Sequence, residues 1–383
     1  KMDNKEMFSR LYRELADTLN ISETMTNDIV NSYKAVGSYL GNMEQELDIN
    51  IYPQGSLSLG TMVRPIKEDE EGDYDVDLVC LLKNGQYLTP EEMKSIVGQR
   101  LSESERYGPM LDEEGKRCWT LQYSDYHLDV LPCVPRTLQE STDTKIRLSH
   151  KDDDGSYSAC FSNPKAYKEW FIEEMGTVFN QTREQYAAKK NVEIEEIKLF
   201  QLRTPLQIAI QILKRHRDIM FANKDNKPIS IIITTLATKA YAGESDIFET
   251  ISNIINKMDS HIEYDGDGNV LICNPTMREE NFADKWKDIP EKKDAFHAWL
   301  HKARVDIIEN PLNFADGMDS LMENMRATFG TKVVNETFEK YAEKAAAERE
   351  QERLGINNKG NIIARENKEA VVPLKNHTFY GGE

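Results

Sequence analysis

Residues 54–61 read Gln54-Gly55-Ser56-Leu57-Ser58-Leu59-Gly60-Thr61, and residues 73–80 read Asp73-Tyr74-Asp75-Val76-Asp77-Leu78-Val79-Cys80. The second stretch decides the fold. Val76, Leu78, Cys80 and Leu82 recur at every second position, the pattern of a strand with one apolar face. In such a strand Asp75 and Asp77 project together from the opposite face. Two carboxylates side by side repel unless positive charge lies between them. A divalent cation supplies that charge, and hard oxygen ligands suit Mg²⁺. A third acid, Asp129, lies in His127-Leu128-Asp129-Val130-Leu131-Pro132, a second short apolar strand. A carboxylate there is costly if buried without a partner. Three strand-borne acids on one sheet face make a site for two metal ions, which clamp the attacking and leaving oxygens of phosphoryl transfer.

The Gly55-Ser56 turn adds a phosphate cradle, because glycine lets the backbone approach closely and N–H groups plus a hydroxyl hold phosphate oxygens. Gly-Ser alone occurs in many turns, and Asp-x-Asp alone in many solvated loops. Gly-Ser, a short gap, Asp-x-Asp in an apolar strand and then a third strand-borne Asp form a far more specific order.

Working outward, strands are expected at Asp75–Leu82, Cys118–Tyr123 and His127–Val134, with a helix over Pro90–Arg106. Upstream, Phe8, Leu11, Leu15 and Leu19 form a helical stripe, and Ser22 caps a second helix carrying Met25, Ile29, Tyr33, Val36 and Leu40. Downstream, helical patterns cover 164–187, 204–222, 230–242, 247–259, 290–309 and 312–329, then Glu336–Leu354. Thr204-Pro205-Leu206-Gln207 is a capping-box start. Ile229–Leu236 is ambiguous: its β-branched run favours a strand, its context a helix opening at Ser230. The expected fold class is α+β, a sheet domain packed on a helical domain. The boundary falls near 160, within the Asp-, Gly- and Ser-rich stretch His150–Ser162. The divisions are 1–160, 161–354 and a flexible tail, 355–383.

With 383 residues, the chain is long enough to bury about three quarters of its unfolded surface and needs no disulfide or structural metal for its core. The 48 basic residues against 66 acidic ones, a net charge of −18, argue against a protein built to grip duplex nucleic acid. Five cysteines, with no C-x-x-C pair, read as buried thiols of a reducing compartment, so the expected location is cytoplasmic. No stretch reaches the length of a membrane span, and Lys1–Arg13 is too charged for a signal peptide.

These motifs resemble the nucleotidyltransferase superfamily with a polymerase-β-like core. More narrowly, they resemble the bacterial CD-NTases, relatives of cyclic GMP-AMP synthase and oligoadenylate synthase. The resemblance rests on QGS-x4-GT at 54–61, DYDVDLVCLL at 73–82, HLDVLPCVP at 127–135, LKRHRD at 213–218, PIS at 228–230 and NPTMREENFADKW at 274–286. It implies an active site in the cleft between the two domains. The implied reaction is attack of a ribose hydroxyl on an NTP α-phosphate with release of pyrophosphate. The product is a cyclic di- or trinucleotide second messenger for anti-phage (CBASS) signalling, with ATP among the substrates.

By resemblance, Asp75, Asp77 and Asp129 hold two Mg²⁺ ions, with Mn²⁺ able to replace them, and Asp129 helps activate the attacking hydroxyl. Gly55 and Ser56 cradle the donor triphosphate, Lys214 and Ser230 reach its phosphates from the helical domain, and Gln54 reaches a base or ribose. No DNA or RNA is required and no membrane is engaged. The effector binds the product rather than this chain. Some family members are joined through their C-terminus to other molecules, which makes the tail a docking point for an operon-encoded regulatory or conjugating partner. That chemistry prefers a terminal Gly, and Glu383 departs from it.

Plainer readings compete for several features. Lys214-Arg215-His216-Arg217 reads on its own as a solvated helix end, and Arg215 and Arg217 receive no role. Asp265-Gly266-Asp267-Gly268-Asn269 lacks the Gly and Glu of an EF-hand and reads as a tight turn between strands. His297 and His301 lack the Glu of a metalloprotease helix. Two rival functions remain open: nucleotide addition to RNA or protein, and a catalytically silent nucleotide-binding scaffold.

Overall fold

The structure, a computed structural model, describes residues 4–42, 47–67, 70–71, 74–137, 143–190, 193, 198–313, 317–350, 354–357, 362–364 and 370–373. The end of the tail, 374–383, where the docking peptide was expected, lies outside these residues.

Helices α1 (Asn4–Leu19) and α2 (Glu23–Gly41) come first. The Ser22 side chain caps α2 by accepting from the Met25 N–H at 3.1 Å. Strand β1 (Ile49–Pro53) leads into a short helix, α3 (Gly55–Leu59), and a small hairpin, β2 (Ile66–Lys67) and β3 (Glu70–Glu71). Strand β4 (Tyr74–Leu82) follows, then α4 (Pro90–Ser102), β5 (Trp119–Gln122), β6 (Tyr126–Pro135), β7 (Ile146–Lys151) and β8 (Tyr157–Ser162). The main sheet runs β1-β4-β6-β7-β8, with β5 also paired to β6. Only β4 and β6 are parallel; the other pairs are antiparallel.

The period-two pattern places the sheet's two faces as expected. Val76, Leu78, Cys80 and Leu82 of β4 join Leu128, Val130 and Val134 of β6 in a core that also takes in Ile29, Val36 and Leu40 of α2 and Met93, Val97 and Leu101 of α4. Val79 of β4 joins Leu131 and Cys133 of β6 and Ile146 and Leu148 of β7 in a smaller apolar cluster on the opposite face. The acids belong to that second face.

The helical half comprises α5 (Pro164–Lys190), α6 (Pro205–Met220), α7 (Ser230–Ala240), α8 (Ile247–Lys257), α9 (Glu291–Ala303), the short α10 (Asn310–Leu312), α11 (Met318–Phe329) and α12 (Thr331–Glu350). Gly176 breaks α5 with φ 52° and ψ −133°. A π-helical turn, Arg304–Glu309, joins α9 to α10. Helix α6 runs through the middle of this half, with Leu206, Ile208, Ala209, Ile210, Ile212 and Leu213 all buried. Helix α1 packs in the same core, through Phe8, Leu11, Tyr12 and Leu15, together with Trp286, Phe296 and Trp299.

Four features differ from, or refine, the sequence expectation. His150–Ser162 contains the β7–β8 hairpin, whose Asp152–Gly155 turn supplied the loop-like composition. Of Ile229–Leu236, Ser230 onward is helical, because Ile232, Ile233 and Leu236 are all buried in the helical core, which overrides the β propensity. Two hairpins, β9 (Glu263–Tyr264) with β10 (Val270–Leu271) and β11 (Cys273–Asn274) with β12 (Met277–Asn281), lie among the helices. The first is closed by the turn expected at 265–269, where Asp265 accepts from the Asp267 and Asn269 N–H groups. Within 354–373, β13 (Leu354–Asn357) pairs with both β14 (Ile362–Ala364) and β15 (Ala370–Pro373), so regular pairing extends into the stretch expected to be a flexible tail.

The five cysteines are free. Among the described residues no helix is long and apolar enough to cross a membrane.

Candidate active site

The register of β4 against β6 builds the centre of the site. Asp77 lies directly opposite Asp129, and Asp75 opposite His127. Cross-strand neighbours in a sheet stand about 5 Å apart, so Asp77 and Asp129 crowd one another. Asp75 is exposed, while Asp77 and Asp129 are partly buried. Burial, then the Asp129 and Asp75 charges, push the Asp77 carboxyl up to about 6, against a smaller opposing pull from Lys214. Thr120, opposite Asp129 on β5, donates to Asp129 Oδ1 at 2.5 Å. That hydroxyl was not anticipated, because the pairing of β5 with β6 is invisible in the sequence.

Gly55 and Ser56 open α3 immediately beside these acids. Gly55 has φ +60°, and a Cβ there would stand 2.5 Å from Asp77 Oδ2. Glycine is therefore required twice, by the backbone conformation and by the carboxylate's approach. The Gln54 N–H donates to the Asp77 carbonyl at 2.9 Å, which ties the turn to β4. The Thr61 N–H closes the turn onto the Ser56 carbonyl at 2.9 Å.

The helical half reaches this centre through α6. Lys214 to Arg217 are not a solvated helix end: their exposures are 5, 4, 2 and 6%. Lys214 Nζ donates to the carbonyl and hydroxyl of Thr61 at 3.1 and 3.2 Å. Burial, then the Arg217 charge, lower its ammonium to about 7. Arg217 Nη1 donates to the Pro228 carbonyl at 3.1 Å and to Ser230 Oγ at 2.8 Å. Arg215 Nη1 donates to the Arg64 carbonyl at 3.1 Å, and its Nε to the Phe329 carbonyl at 2.8 Å. His216 faces Asp306 at 3.1 Å. Ser230 is the first residue of α7.

Between the halves lies a cavity of about 920 Å³. Gln54 and Gly55 bound it at the acid end, Leu131, Leu148 and Cys160 of the sheet floor it, and Ile229, Phe282 and Trp286 line the helical side. Such a volume accepts a nucleotide.

The donor set beside the cavity fits a divalent cation. It is all oxygen, and after burial, the larger cause, the Asp129 and Asp75 charges that raise the Asp77 carboxyl are a repulsion that a cation relieves. Among the described residues no three acids, imidazoles or thiols already converge on one point. The register brings Asp77 beside Asp129, and Mg²⁺ can take one or two carboxylates and complete its shell from water and substrate phosphates.

Paired carboxylates on parallel strands, a glycine turn pressed against one of them and a cleft under a helical half are the features expected of a nucleotidyltransferase. Residues 2–174 match the Second Messenger Oligonucleotide or Dinucleotide Synthetase domain. The chain is 32% identical over 384 residues to a c-di-GMP synthase of Roseivirga ehrenbergii, with 96% of each chain covered. It is 23% identical to the cyclic dinucleotide synthase CdnG of Bradyrhizobium diazoefficiens, covering 91% of this chain and 87% of that one. The structure of the Bradyrhizobium CD-NTase CdnG in complex with GTP superposes with a TM-score of 0.67 at 21% identity, covering 88% of this chain and 99% of that one. Escherichia coli CdnC in its complex with HORMA-deltaN gives 0.58 at 15% identity, covering 84% and 96%. The chain belongs to the bacterial CD-NTase family, whose members make cyclic oligonucleotides from nucleoside triphosphates.

Proposed function

We propose that this chain makes a cyclic di- or trinucleotide in a Mg²⁺-dependent reaction and serves anti-phage signalling in the cytoplasm. Cyclic di-GMP is favoured by the name of the 32% identical relative. The single observation that carries the reading is Asp77 in register with Asp129 and closed against Gly55.

In this reading Asp75, Asp77 and Asp129 hold two Mg²⁺ ions, replaceable by Mn²⁺, which when bound neutralise the triphosphate and acidify the attacking ribose hydroxyl. Asp129, whose Oδ1 accepts from Thr120, takes the proton of that hydroxyl. The hydroxyl oxygen bonds to the α-phosphorus as the bond to pyrophosphate breaks, and repetition of that step closes the ring, at the second transfer for a dinucleotide and the third for a trinucleotide. Gly55 and Ser56 cradle the donor triphosphate. Ser230 meets it from the start of α7, where helix N–H groups favour an anion. Lys214 lends positive charge through its hold on Thr61, and Gln54 reaches the base or ribose. The core is taken as 1–160, with β8 carrying its sheet on to Ser162, and the helical unit as 161–354. The stretch 355–383 is left to meet a regulatory or conjugating partner, a role to which the CdnC complex with HORMA-deltaN lends an analogy.

Product analysis by mass spectrometry tests this. The protein is incubated with all four NTPs and Mg²⁺ or Mn²⁺, without nucleic acid, beside Asp75→Ala/Asp77→Ala. A phosphatase-resistant cyclic product from the intact protein alone is expected. Label transferred to RNA or protein would establish the first rival instead. Nucleotide binding with no turnover, even with operon partners supplied, would establish the scaffold.

A further inference from the structure

Helix α6 bears a row of buried polar side chains, most of which bond to the main chain of segments next to the active centre. Gln207 Nε2 donates to the Leu59 carbonyl at 2.9 Å. One turn on, Gln211 Nε2 donates to the Met62 carbonyl at 2.5 Å. Lys214 takes the Thr61 carbonyl and Arg215 that of Arg64. Four successive donors thus hold residues 59–64, the stretch that leaves the Gly55-Ser56 turn. A further turn along, Arg217 holds Pro228 and Ser230, at the start of α7.

Gln207 and Gln211 have no exposed surface. Burying an amide costs free energy unless both its ends are bonded, and both are satisfied here. Gln207 Oε1 accepts from the Thr204 N–H at 2.9 Å and Gln211 Oε1 from Arg203 Nη1 at 2.7 Å. An apolar seam would have held the two halves together as well. A seam of donors aimed at carbonyls fixes the register and distance of one backbone against another, which apolar packing does not.

We propose that Gln211 and Arg217 are positioning residues that hang both jaws of the triphosphate clamp on one rigid helix, Gln211 holding the Gly55-Ser56 jaw and Arg217 the Ser230 jaw. Their separation on α6 sets the gap into which the phosphates fit. The inference rests on the cradle roles proposed above for Ser56 and Ser230.

The test measures binding by calorimetry in the presence of Mg²⁺. Nonhydrolysable analogues of the four NTPs are screened first, and the tightest is taken forward with its own nucleoside. The variants are Gln211→Met, Arg217→Lys and, as reference, Ser56→Ala. Gln211→Glu is the fallback should Gln211→Met fail to fold, since it keeps an acceptor for Arg203 and replaces the amide that donates to Met62 and Asn20. Gln211→Met and Arg217→Lys are each expected to weaken the triphosphate about tenfold, the usual scale for displaced hydrogen-bonded groups. The nucleoside, which does not touch the clamp, is expected to bind unchanged. In turnover the same variants raise KM more than they lower kcat. Equal weakening of triphosphate and nucleoside, or weakening of neither, would overturn the proposal while Ser56→Ala still weakens the triphosphate. A silent Ser56→Ala would instead remove the cradle reading and this inference with it.

Discussion

With no cation bound, Asp77 keeps its proton up to about pH 6, well above the ordinary carboxylate value of 3.8. The folded protein therefore holds that proton more tightly than the unfolded chain does. The group's contribution to stability is present below 3.8 and is lost as pH rises through about 6. Protons and cations compete for the same oxygens. Added Mg²⁺ should thus raise Tm more at a pH above this window than inside it, and Asp77→Asn should flatten the difference; thermal melts at the two pH values decide it. Asp77→Asn should also cut turnover by more than about 100-fold, the upper end for disturbing even the outer partners of a metal site. At Gly55 a methyl group would meet both a positive φ and the Asp77 oxygen. Gly55→Ala is expected to destabilise the fold by about 1–2 kcal/mol and to lower activity further by moving Asp77. A denaturant titration alongside the turnover assay separates the two effects.

A glycine inside a helix usually marks a weak point, and replacing it by Ala gains about 1 kcal/mol. Helix α4 reverses that expectation at Gly98, where a Cβ would overlap the Trp119 ring. Trp119 is locked from the other side, because its indole N–H donates to the Lys94 carbonyl at 2.8 Å. Gly98→Ala should therefore cost about 1–3 kcal/mol as an overpacked core does, read as a lowered denaturation midpoint. Helix α4 also shows what the sequence could and could not disclose. Its start is written in Thr89 and Glu92, which form a capping box; its closest packing is written nowhere local, since Gly98 and Trp119 lie on different elements. The site divides in the same way. The acid face of β4 and the glycine turn follow from spacing alone. The opposition of Asp77 to Asp129, the Thr120 hydroxyl and the bonds from Gln211 and Arg217 depend on register between strands and on a helix meeting a distant loop. Arg217 looked like a surface charge because periodicity reports which face is apolar, not which polar group is buried against a carbonyl.

Across the whole molecule the charge is −18, yet the cleft is lined by Lys116, Arg117, Lys227, Lys285 and Lys292 against only Glu279, Glu280 and Asp284. A local excess of basic groups on an acidic body attracts a triphosphate while the rest of the surface repels it. Raising ionic strength from about 0.01 to 0.1 M shortens the screening length from about 30 to 10 Å. KM for NTP should rise several-fold over that range with little change in kcat, as initial-rate measurements in a salt series will show.

The sheet is covered on only part of its area. One face is sealed by α2 and α4, whereas on the other Leu131, Leu148 and Cys160 form the floor of the cleft. In the proposed complex a nucleotide base seated in the cleft covers the apolar surface that remains there. Ligand binding then carries the signature of folding itself, a negative heat-capacity change from apolar surface leaving water. Its enthalpy will consequently drift steeply with temperature, and the enzyme's apparent affinity will follow a curve like that of a stability profile rather than a straight van't Hoff line.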